Sequence, residues 1–226
     1  MSNLTTDIIQ WDIATWSRAL LFWEKEIDWS KVTVGLELGA RQGGLSLWLA
    51  SKGIKTICSD RGDVRLTAEA LHKKHNVTSL IAYEDIDATS IHYENYFDVI
   101  VFKSILGGIG YGDNKAAQQK SIREMYKALK PGGKLLFAEN LTASALHKKL
   151  RSRCAGWGSA WRYVTKQELE EFLSEFSSKQ ILSTGFSSVF GRNESQKKFL
   201  TAMDRGILNH ITPESWKYLG YGYATK

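Results

Sequence analysis

The sequence contains only two cysteines and no long run of apolar residues. Cys58 and Cys154 fall in different predicted elements without CxxC spacing, so neither a zinc site nor a redox pair is indicated. Because no apolar stretch reaches about 18 residues, a membrane-spanning helix is not predicted. The N-terminus carries acids where a signal peptide has a basic region. We therefore expect a cytoplasmic protein with reduced thiols and no membrane insertion.

Nothing in the composition indicates disorder or several domains. The chain has 226 residues, of which 43% are hydrophobic and 24% charged, as is ordinary for a soluble globular protein. It also lacks a dense histidine and carboxylate cluster with metal-ligand spacing, so no metal is predicted. We expect a single domain over residues 1–226 with a well-buried core.

The net charge of +6 reflects a local lack of acids. No acid occurs between Asn140 and Glu168. The basic residues within that stretch are Lys148, Lys149, Arg151, Arg153, Arg162 and Lys166. Such a cluster suits an anionic substrate group, an acidic surface such as RNA, or simply a solvated face of the protein.

The segment from Val32 to Ala50 is typical of a buried strand, a glycine-rich turn and an amphipathic helix, with Glu37 just before the turn. This pattern predicts a nucleoside-like cofactor at the carboxyl end of a parallel sheet. The glycines of the turn are Gly39, Gly43 and Gly44. Arg41 stands where a dinucleotide fingerprint has its middle glycine, which lets the backbone approach a pyrophosphate, so a dinucleotide is disfavoured.

Helical and strand patterns alternate along the rest of the chain. An apolar stripe from Ile9 to Ile27 predicts one N-terminal helix. Further strands are predicted at 55–59, 80–83, 97–102, 134–139, 181–190 and 218–224, with helices near 65–75, 121–130, 166–176 and 196–210. The first five strands, joined by helices, must be parallel with right-handed crossovers. The last two close an edge of the sheet in an order that periodicity does not give.

Five short motifs, in this order along the chain, resemble class I S-adenosylmethionine-dependent methyltransferases from Val32 to Ala224. They are Leu-Glu-Leu-Gly-Ala-Arg-Gln-Gly-Gly, Ser-Asp60, Asp87-Ala88, Phe97-Asp-Val-Ile-Val and Leu129-Lys-Pro-Gly-Gly-Lys-Leu-Leu-Phe. The resemblance implies a Rossmann-like, doubly wound α/β fold with a seven-stranded, mostly parallel sheet and an antiparallel edge strand. It also implies an N-terminal helical cap over residues 1–30 and a lid-like insertion over residues 141–164.

S-adenosylmethionine has no phosphate, so Arg41 is compatible with its site. The resemblance implies that Asp60 binds the ribose hydroxyls, that Asp87, with Asp85 as a rival, accepts from the adenine amine, and that the backbone of Ala88 meets the ring edge. Glu37 should bind the turn amides or the cofactor ammonium, because a buried carboxylate needs partners. The full set of predicted cofactor residues is Glu37, Gly39, Arg41, Gly43, Asp60, Asp87, Ala88 and Lys103.

Methyl transfer requires chiefly alignment of the acceptor and exclusion of water, and a hydroxyl acceptor also benefits from a general base. The chain lacks the histidine pair and the Asn-Pro-Pro-Tyr element that many relatives carry after the fourth strand. The missing Asn-Pro-Pro-Tyr element argues against methylation of a base or amide nitrogen. No base is therefore assigned, and the weak candidates are Glu139, His147 and Asp113.

Aromatic residues in the N-terminal segment, in the loop after the fourth strand and in the 141–164 segment could wall an acceptor pocket, although packing in the core or a lid is an equally good interpretation. They are Trp11, Trp16, Tyr111, Trp157 and Trp161. We predict O-methylation of a covered small molecule, with a sugar or glycan-linked intermediate as one substrate class. The alternatives are an RNA methyltransferase, a cofactor-binding module without catalysis, and, more remotely, a nicotinamide-dependent oxidoreductase. No oligomeric state is predicted.

Overall fold

The computed structural model describes residues 3–154 and 160–226, with side chains over 4–149 and 160–226. Seven strands form one sheet with helices on both faces. The strands are β1 (Val34–Leu38), β2 (Lys55–Asp60), β3 (Ile81–Asp85), β4 (Phe97–Lys103), β5 (Leu129–Asn140), β6 (Ser178–Thr184) and β7 (Leu219–Thr225).

Ten α-helical segments flank the sheet in the described part of the chain. They are α1 (Asn3–Ile9), α2 (Ile13–Glu26), α3 (Gly44–Ala50), α4 (Arg65–Lys74), α5 (Leu106–Ile109), α6 (Lys115–Ala128), α7 (Ala145–Cys154), α8 (Lys166–Phe172), α9 (Glu194–Met203) and α10 (Asn209–Ile211). Among the residues with described structure, no helix has the length and apolar character needed to cross a membrane.

The strand order is β3-β2-β1-β4-β5-β7-β6. Strands β1 to β5 pair in parallel, whereas β7 pairs antiparallel with both β5 and β6. This arrangement confirms the predicted fold class. It also supplies the order that the sequence left open, because the last strand of the chain lies between β5 and the edge strand β6.

The centre of the core is β4, which is covered on both faces as its apolar run predicts. Successive strand residues point to opposite faces. Val99 and Val101 therefore pack in one cluster with α2 and α3, while Ile100 and Phe102 pack in another with α6 and α8. All four side chains are fully buried.

The prediction of one N-terminal helix was wrong, because the stripe is divided between α1 and α2. Gln10 and Asp12 interrupt the helix with left-handed backbone, at φ 70° and 46°. The apolar side chains Ile9 and Trp16 remain buried on the same side. The periodic stripe therefore correctly identified the buried face but not the break.

Several predicted boundaries also differ. Helix α6 begins earlier than predicted, because Asn114 caps it by accepting from the Ala117 amide at 3.0 Å. Strand β5 begins at Leu129, so the Pro-Gly-Gly segment lies within it. Strand β6 ends at Thr184 and not at residue 190, because Gly185 turns the chain with φ +80°. The helix predicted at 196–210 is α9, a wider helical turn at Asp204–Leu208, and α10.

Candidate active site

The predicted cofactor residues cluster at the carboxyl edge of the sheet. Strands β1 and β4 are neighbours there, and the chain leaves them toward opposite ends of the sheet, β1 toward β2 and β4 toward β5. Such a switch in strand order opens a crevice outside the carboxyl ends of the strands, where α/β proteins bind ligands. The turn after β1 and the segment after β4 form its two sides.

The turn after β1 combines three left-handed residues, with φ 64° at Gly39, 52° at Arg41 and 73° at Gly43. A Cβ on Gly39 would lie 2.4 Å from Cγ2 of Ile105, the side chain that follows β4. Gly39 therefore lets the two sides of the crevice approach closely. A Cβ on Gly43 would instead meet the buried ring of His72 at 2.4 Å, so this glycine serves the packing of α4.

Asp60 ends β2 directly beside this turn. Its Oδ2 accepts from the Arg41 amide and its Oδ1 from the Arg61 amide, both at 2.8 Å. A carboxylate has about four acceptor positions, so each oxygen retains acceptor capacity. The Arg41 side chain itself is exposed. The sequence thus correctly placed Asp60 at the turn, where it also fixes the backbone.

Asp87 lies next to Asp60, because the Ile86 amide donates to the Asp60 carbonyl at 3.1 Å after β3 ends. Oδ1 of Asp87 accepts from the amide and hydroxyl of Thr89 at 2.8 and 2.7 Å. Its Oδ2 lies 3.9 Å from the Arg61 Nε, and the bonds from Thr89 and then the charges of Arg61 and Lys120 lower the pKa of Asp87. Ala88 is partly buried against the core. Two acids with acceptor capacity therefore line adjacent strand ends.

Glu37 is buried in β1 and binds the start of α3. Its Oε1 accepts from the Leu45 amide at 3.1 Å, and its Oε2 accepts from the amide and hydroxyl of Ser46, both at 2.6 Å. Burial raises the pKa of Glu37 to about 7, although the bonds from Ser46 and Leu45 oppose this. The carboxylate thus takes the backbone partners predicted for it, and these bonds fix α3 against β1.

Lys103 ends β4 on the other side of the crevice. Its Nζ donates to the carbonyl of Ile9, the last residue of α1, at 2.7 Å. The ammonium also lies 4.3 Å from the ring centre of Trp11 and 5.5 Å from that of Trp16. Burial lowers the pKa of Lys103 to about 7, opposed by the charge of Glu37. Lys103 therefore fastens the N-terminal segment to the edge of the sheet.

The aromatic acceptor candidates are not all brought together. Trp11 and Trp16 pack edge to face at 4.4 Å beside Lys103, and Trp16 is fully buried. Trp161 lies against Gly107, where a Cβ would be 2.6 Å from its ring. Tyr111 is 67% exposed, so it lines no enclosed wall. Trp157 lies outside the described residues.

Glu139, a candidate base, is engaged by the backbone. Its Oε2 accepts from the amides of Ile105 and Leu106, both at 2.8 Å, and its Oε1 accepts from the Asn140 amide at 2.9 Å. Burial raises its pKa to about 7 against these bonds. The carboxylate holds the segment after β4 to the end of β5, which is a structural role at the edge of the crevice.

The other two base candidates are also occupied. His147 is buried, with Nδ1 2.7 Å from the Ser144 hydroxyl and Nε2 2.8 Å from the carbonyl of Phe186. Because a carbonyl only accepts, Nε2 carries the proton and donates. Asp113 is exposed and pairs with the Arg162 Nε at 3.0 Å. Neither side chain presents an unpaired basic atom to the crevice.

Sequence reasoning missed a buried carboxylate close to Lys103. Asp12, in the break between α1 and α2, is only 3% exposed and accepts from the Tyr218 hydroxyl at 2.5 Å. In the sequence it stood between the stripe residues Ile9 and Ile13, where an acid is typical of a helix cap. Asp12 differs from an ordinary helix cap because its side chain makes no hydrogen bond to α2, and the sequence does not show this difference.

No group of three or more potential metal ligands occurs among the residues that the structure describes. The chemistry of the crevice thus comes from two acids with acceptor capacity, a glycine turn and a partly buried lysine beside two tryptophans. These are groups that hold a polar, phosphate-free nucleoside, and the geometry fits the site predicted for S-adenosylmethionine.

Comparisons with known proteins agree with this geometry. A family model described as a methyltransferase domain matches residues 36–137, which include the turn, Asp60, Asp87 and β4. Residues 36–137 are thus similar to a methyltransferase domain. This match confirms the predicted resemblance to S-adenosylmethionine-dependent methyltransferases for that part of the chain. No curated protein sequence matches the chain at a significant level.

Solved structures of methyltransferases share the fold. Phosphoethanolamine N-methyltransferase 2 from Haemonchus contortus, in complex with phosphomonomethylethanolamine and S-adenosylhomocysteine, is 18% identical with a TM-score of 0.63. The match covers 93% of this chain but 52% of that protein, so the chain spans about half its length.

Two further structures have similar values. A protein from Pyrococcus horikoshii is 14% identical with a TM-score of 0.64, over 100% of this chain and 96% of that one. A putative O-methyltransferase from Nostoc punctiforme is 15% identical with a TM-score of 0.61, over 99% of this chain and 60% of that one. At these identities the likeness establishes the fold of the methyltransferase domain and not its acceptor.

Proposed function

We propose that the chain transfers a methyl group from S-adenosylmethionine to a hydroxyl of a small molecule. The observation that carries the cofactor part is Asp60, which ends β2 beside a left-handed turn and keeps acceptor capacity on both oxygens. Two vicinal ribose hydroxyls are the donors that suit such a carboxylate. The bound cofactor supplies a methyl carbon activated by a sulfonium.

The remaining cofactor contacts follow from position along the sheet edge. We propose that Asp87 accepts from the adenine amine and that the backbone of Ala88 borders the ring, because both lie beside Asp60 at the end of β3. Gly39, Arg41 and Gly43 shape the turn for the methionine part. Glu37 and Lys103 support this turn indirectly. Glu37 fixes the start of α3, and Lys103 holds the end of α1.

The acceptor is proposed to bind between the N-terminal segment, residues 1–30, and the segment 141–164. Trp11 and Trp16 lie against Lys103 on the first side, and Trp161 lies against Gly107 on the second. Aromatic surfaces beside polar groups suit a sugar, a glycan-linked intermediate or a flat ring. The chain is proposed to act as a single domain in the cytoplasm, where the buried thiol of Cys58 stays reduced.

At least two of the six basic residues in the stretch are ion-paired within the protein, which disfavours these two as ligands of RNA. Arg162 pairs with Asp113 and Glu168, and Lys166 pairs with Glu214. Phosphate binding depends on cations that release counterions, and its affinity falls steeply with salt. Cations neutralised within the protein contribute little to such binding. Filter binding of RNA at physiological salt should therefore detect no specific complex, whereas strong salt-dependent binding would favour an RNA methyltransferase.

The cofactor part is tested by thermal unfolding with S-adenosylmethionine, S-adenosylhomocysteine and NAD. A ligand at a hundredfold excess over its dissociation constant stabilises the folded protein by about 2.7 kcal/mol. Both sulfur compounds should raise the melting temperature, and NAD should not. A shift with NAD alone would contradict the proposal. An acceptor screen that measures release of S-adenosylhomocysteine then separates an enzyme from a module that only binds the cofactor.

A further inference from the structure

Asp12 lies at the end of a series of hydrogen-bonded hydroxyl groups. Tyr218 donates to Oδ2 of Asp12 at 2.5 Å, so its own oxygen accepts from Ser188 at 2.9 Å. Ser188 in turn accepts from the Thr15 hydroxyl at 3.0 Å, and Thr15 lies 2.9 Å from the Thr201 hydroxyl. Each hydroxyl therefore donates its single proton to the next group in the direction of Asp12. The proton of Tyr218 goes to Oδ2 of Asp12 and not to Oδ1.

Two buried polar atoms near these hydroxyl groups have no hydrogen-bond partner among the described residues. One is Oδ1 of Asp12, an acceptor, and the other is Nε1 of Trp16, a donor. Asp12 is 3% exposed and Trp16 is fully buried. The two residues lie one helical turn apart, since the Trp16 amide donates to the Asp12 carbonyl at 3.0 Å. A buried donor and a buried acceptor left unpaired are rare in folded proteins.

The backbone is arranged to keep the Asp12 side chain away from the helix that it precedes. Asp12 has φ 46°, and its carboxylate makes no cap bond to α2. Glu194 of α9 takes over that role, accepting from the Asp12 amide at 2.8 Å and from the Ile13 amide at 3.1 Å. A non-glycine residue in left-handed backbone is a strained feature that concentrates at functional sites.

This location is adjacent to the proposed site of methyl transfer. The Trp16 ring centre is 5.5 Å from Nζ of Lys103, which ends β4 at the crevice. Asp12 and Lys103 also interact electrostatically. The unpaired atoms therefore lie on the side of the crevice where the proposed function places the acceptor.

A hydroxyl supplies both the donor that Oδ1 of Asp12 lacks and the acceptor that Nε1 of Trp16 lacks. A hydroxyl donates its proton to a carboxylate and accepts from an indole N–H, and it retains a second lone pair. An amine in its ammonium form has no lone pair for the indole, and a thiol is a weak partner for both atoms. The pair is therefore selective for an alcohol or a phenol.

We propose that Asp12 and Trp16 bind the acceptor hydroxyl and that Asp12 is the catalytic base of the proposed methyl transfer. This inference rests on the proposed function. As the hydroxyl oxygen bonds to the methyl carbon, its proton moves to Oδ1 of Asp12, and the electron pair of the breaking C–S bond stays on sulfur. Tyr218 is a positioning residue, because it holds Oδ2 and leaves Oδ1 directed at the acceptor.

The electrostatics of the cluster agree with this role. Burial raises the pKa of Asp12 to about 6, while the bond from Tyr218 lowers it. Lys197 on α9 and Lys103 on β4 favour the charged carboxylate, and Glu194 opposes it. Asp12 is therefore ionised at neutral pH, yet it is a stronger base than an exposed aspartate.

The binding part is tested without knowledge of the natural acceptor, using methanol as the smallest hydroxyl probe. In the full chain with S-adenosylhomocysteine bound, the indole N–H resonance of Trp16 is followed by NMR and assigned with Trp16→Phe. Methanol should shift this resonance saturably and leave that of Trp29 unchanged. Trp29 is a matched control, because its Nε1 is also buried without a partner but packs against Trp48.

Asp12→Asn should abolish the methanol-dependent shift. A Trp16 resonance that methanol does not move would overturn the proposal, as would a shift of the same size in Asp12→Asn. If a tightly held water occupies this position and methanol cannot displace it, the Trp16 resonance will not move, and this result counts against an acceptor site.

The base is tested by kinetics with a panel of methyl glycosides and phenols. Asp12→Asn should lower kcat by about 100-fold or more without changing the affinity for S-adenosylhomocysteine. In the parent protein kcat should fall below about pH 6, and Tyr218→Phe should move this limb to higher pH. Glu175→Gln is the control, because it removes an exposed acid that pairs with Arg123, and it should retain kcat at pH 8.

The two proposals fail in different ways. An Asp12→Asn enzyme with unchanged kcat and the same acid limb contradicts only the role of Asp12. If the parent protein binds neither S-adenosylmethionine nor S-adenosylhomocysteine, the proposed function itself is contradicted. If no member of the panel is methylated, the methanol experiment still decides whether Asp12 and Trp16 bind a hydroxyl.

Discussion

Asp60 is the side chain on which cofactor affinity should depend most directly. Two charged hydrogen bonds to ribose are each worth about 1.5–3 kcal/mol, and about 1.4 kcal/mol corresponds to a tenfold change in affinity. Asp60→Ala should therefore weaken S-adenosylhomocysteine binding by about 10-fold or more, measured by calorimetry. Asp63→Ala removes a neighbouring exposed acid that bonds only the Arg65 amide, and it should leave the affinity unchanged. Equal affinities for both variants would contradict the ribose assignment.

The carboxylate of Asp98 should contribute to the free energy of unfolding. It accepts from the amide and hydroxyl of Thr33, from the Val34 amide and from the Lys130 Nζ, so it ties β1 to β4 and β5. Burial raises its pKa, but these bonds outweigh burial and lower the pKa to about 2. The folded state therefore binds its proton less tightly than the unfolded state does.

Asp98→Asn should lower the free energy of unfolding by about 2 kcal/mol at pH 7. The stabilisation by a depressed carboxyl pKa is complete above the unfolded value near 3.8 and is lost as the pH falls toward 2. The difference between the variant and the parent should therefore shrink between pH 4 and pH 2, as measured by urea unfolding. A difference that stays constant over this range would show that the carboxylate charge is not involved.

Single side chains were predictable from the sequence where a motif fixes their place. Asp60 follows a strand at a set distance from the glycine turn, so its position at the crevice could be deduced. Asp12 could not be found in this way, because its burial depends on Tyr218 and its backbone on Glu194, which are 206 and 182 positions away. The pairing of Glu139 with the segment after β4 was hidden for the same reason.

Helices and strands were predicted best where their periodicity was long and uninterrupted. Strand β4 was placed almost to the residue, because an apolar run covered on both faces has a sharp signal. The break between α1 and α2 gave no such signal, since the stripe continues through Gln10 and Asp12. Contacts that form only in the folded chain, such as the cap that Glu194 gives to α2, determine where α2 begins.

The contact between α1 and α3 can be tested at Gly44. Alanine favours a helix over glycine, but a Cβ on Gly44 would lie 2.1 Å from the backbone oxygen of Ile8. Gly44→Ala should therefore displace α1 and lower the free energy of unfolding by about 1–3 kcal/mol. Gly206→Ala is the matched control, because nothing lies within 4 Å of its added Cβ. If Gly44→Ala is as stable as Gly206→Ala, α1 does not pack on α3 as described.

The arrangement of the complete sheet was only partly deducible. The parallel pairing of the first five strands follows from their alternation with helices and from crossover handedness, but their order does not. The position of β7 depends on side chains that meet across the sheet. Gly222 lets β7 approach β6, because a Cβ there would lie 1.9 Å from the Gln180 oxygen. A glycine within a strand pattern suggests close backbone approach, but it does not identify the neighbour.

Three buried carboxyls should make the free energy of unfolding fall as the pH rises from about 5 to 7, and this trend is opposed by His72 and Lys103, whose pKa values are lowered by burial. Asp12, Glu37 and Glu139 are buried carboxyls whose pKa values are raised to about 6, 7 and 7. Groups with raised pKa values stabilise most below their unfolded values near 4, and this contribution is lost as the pH rises through the folded values. Urea unfolding without cofactor at pH 5, 6 and 7 measures the trend. Glu139→Gln removes one of the three ionisations, so its stability should fall less steeply over this range. If the stabilities of Glu139→Gln and the parent change equally between pH 5 and 7, the Glu139 carboxyl does not titrate over this range in the folded protein.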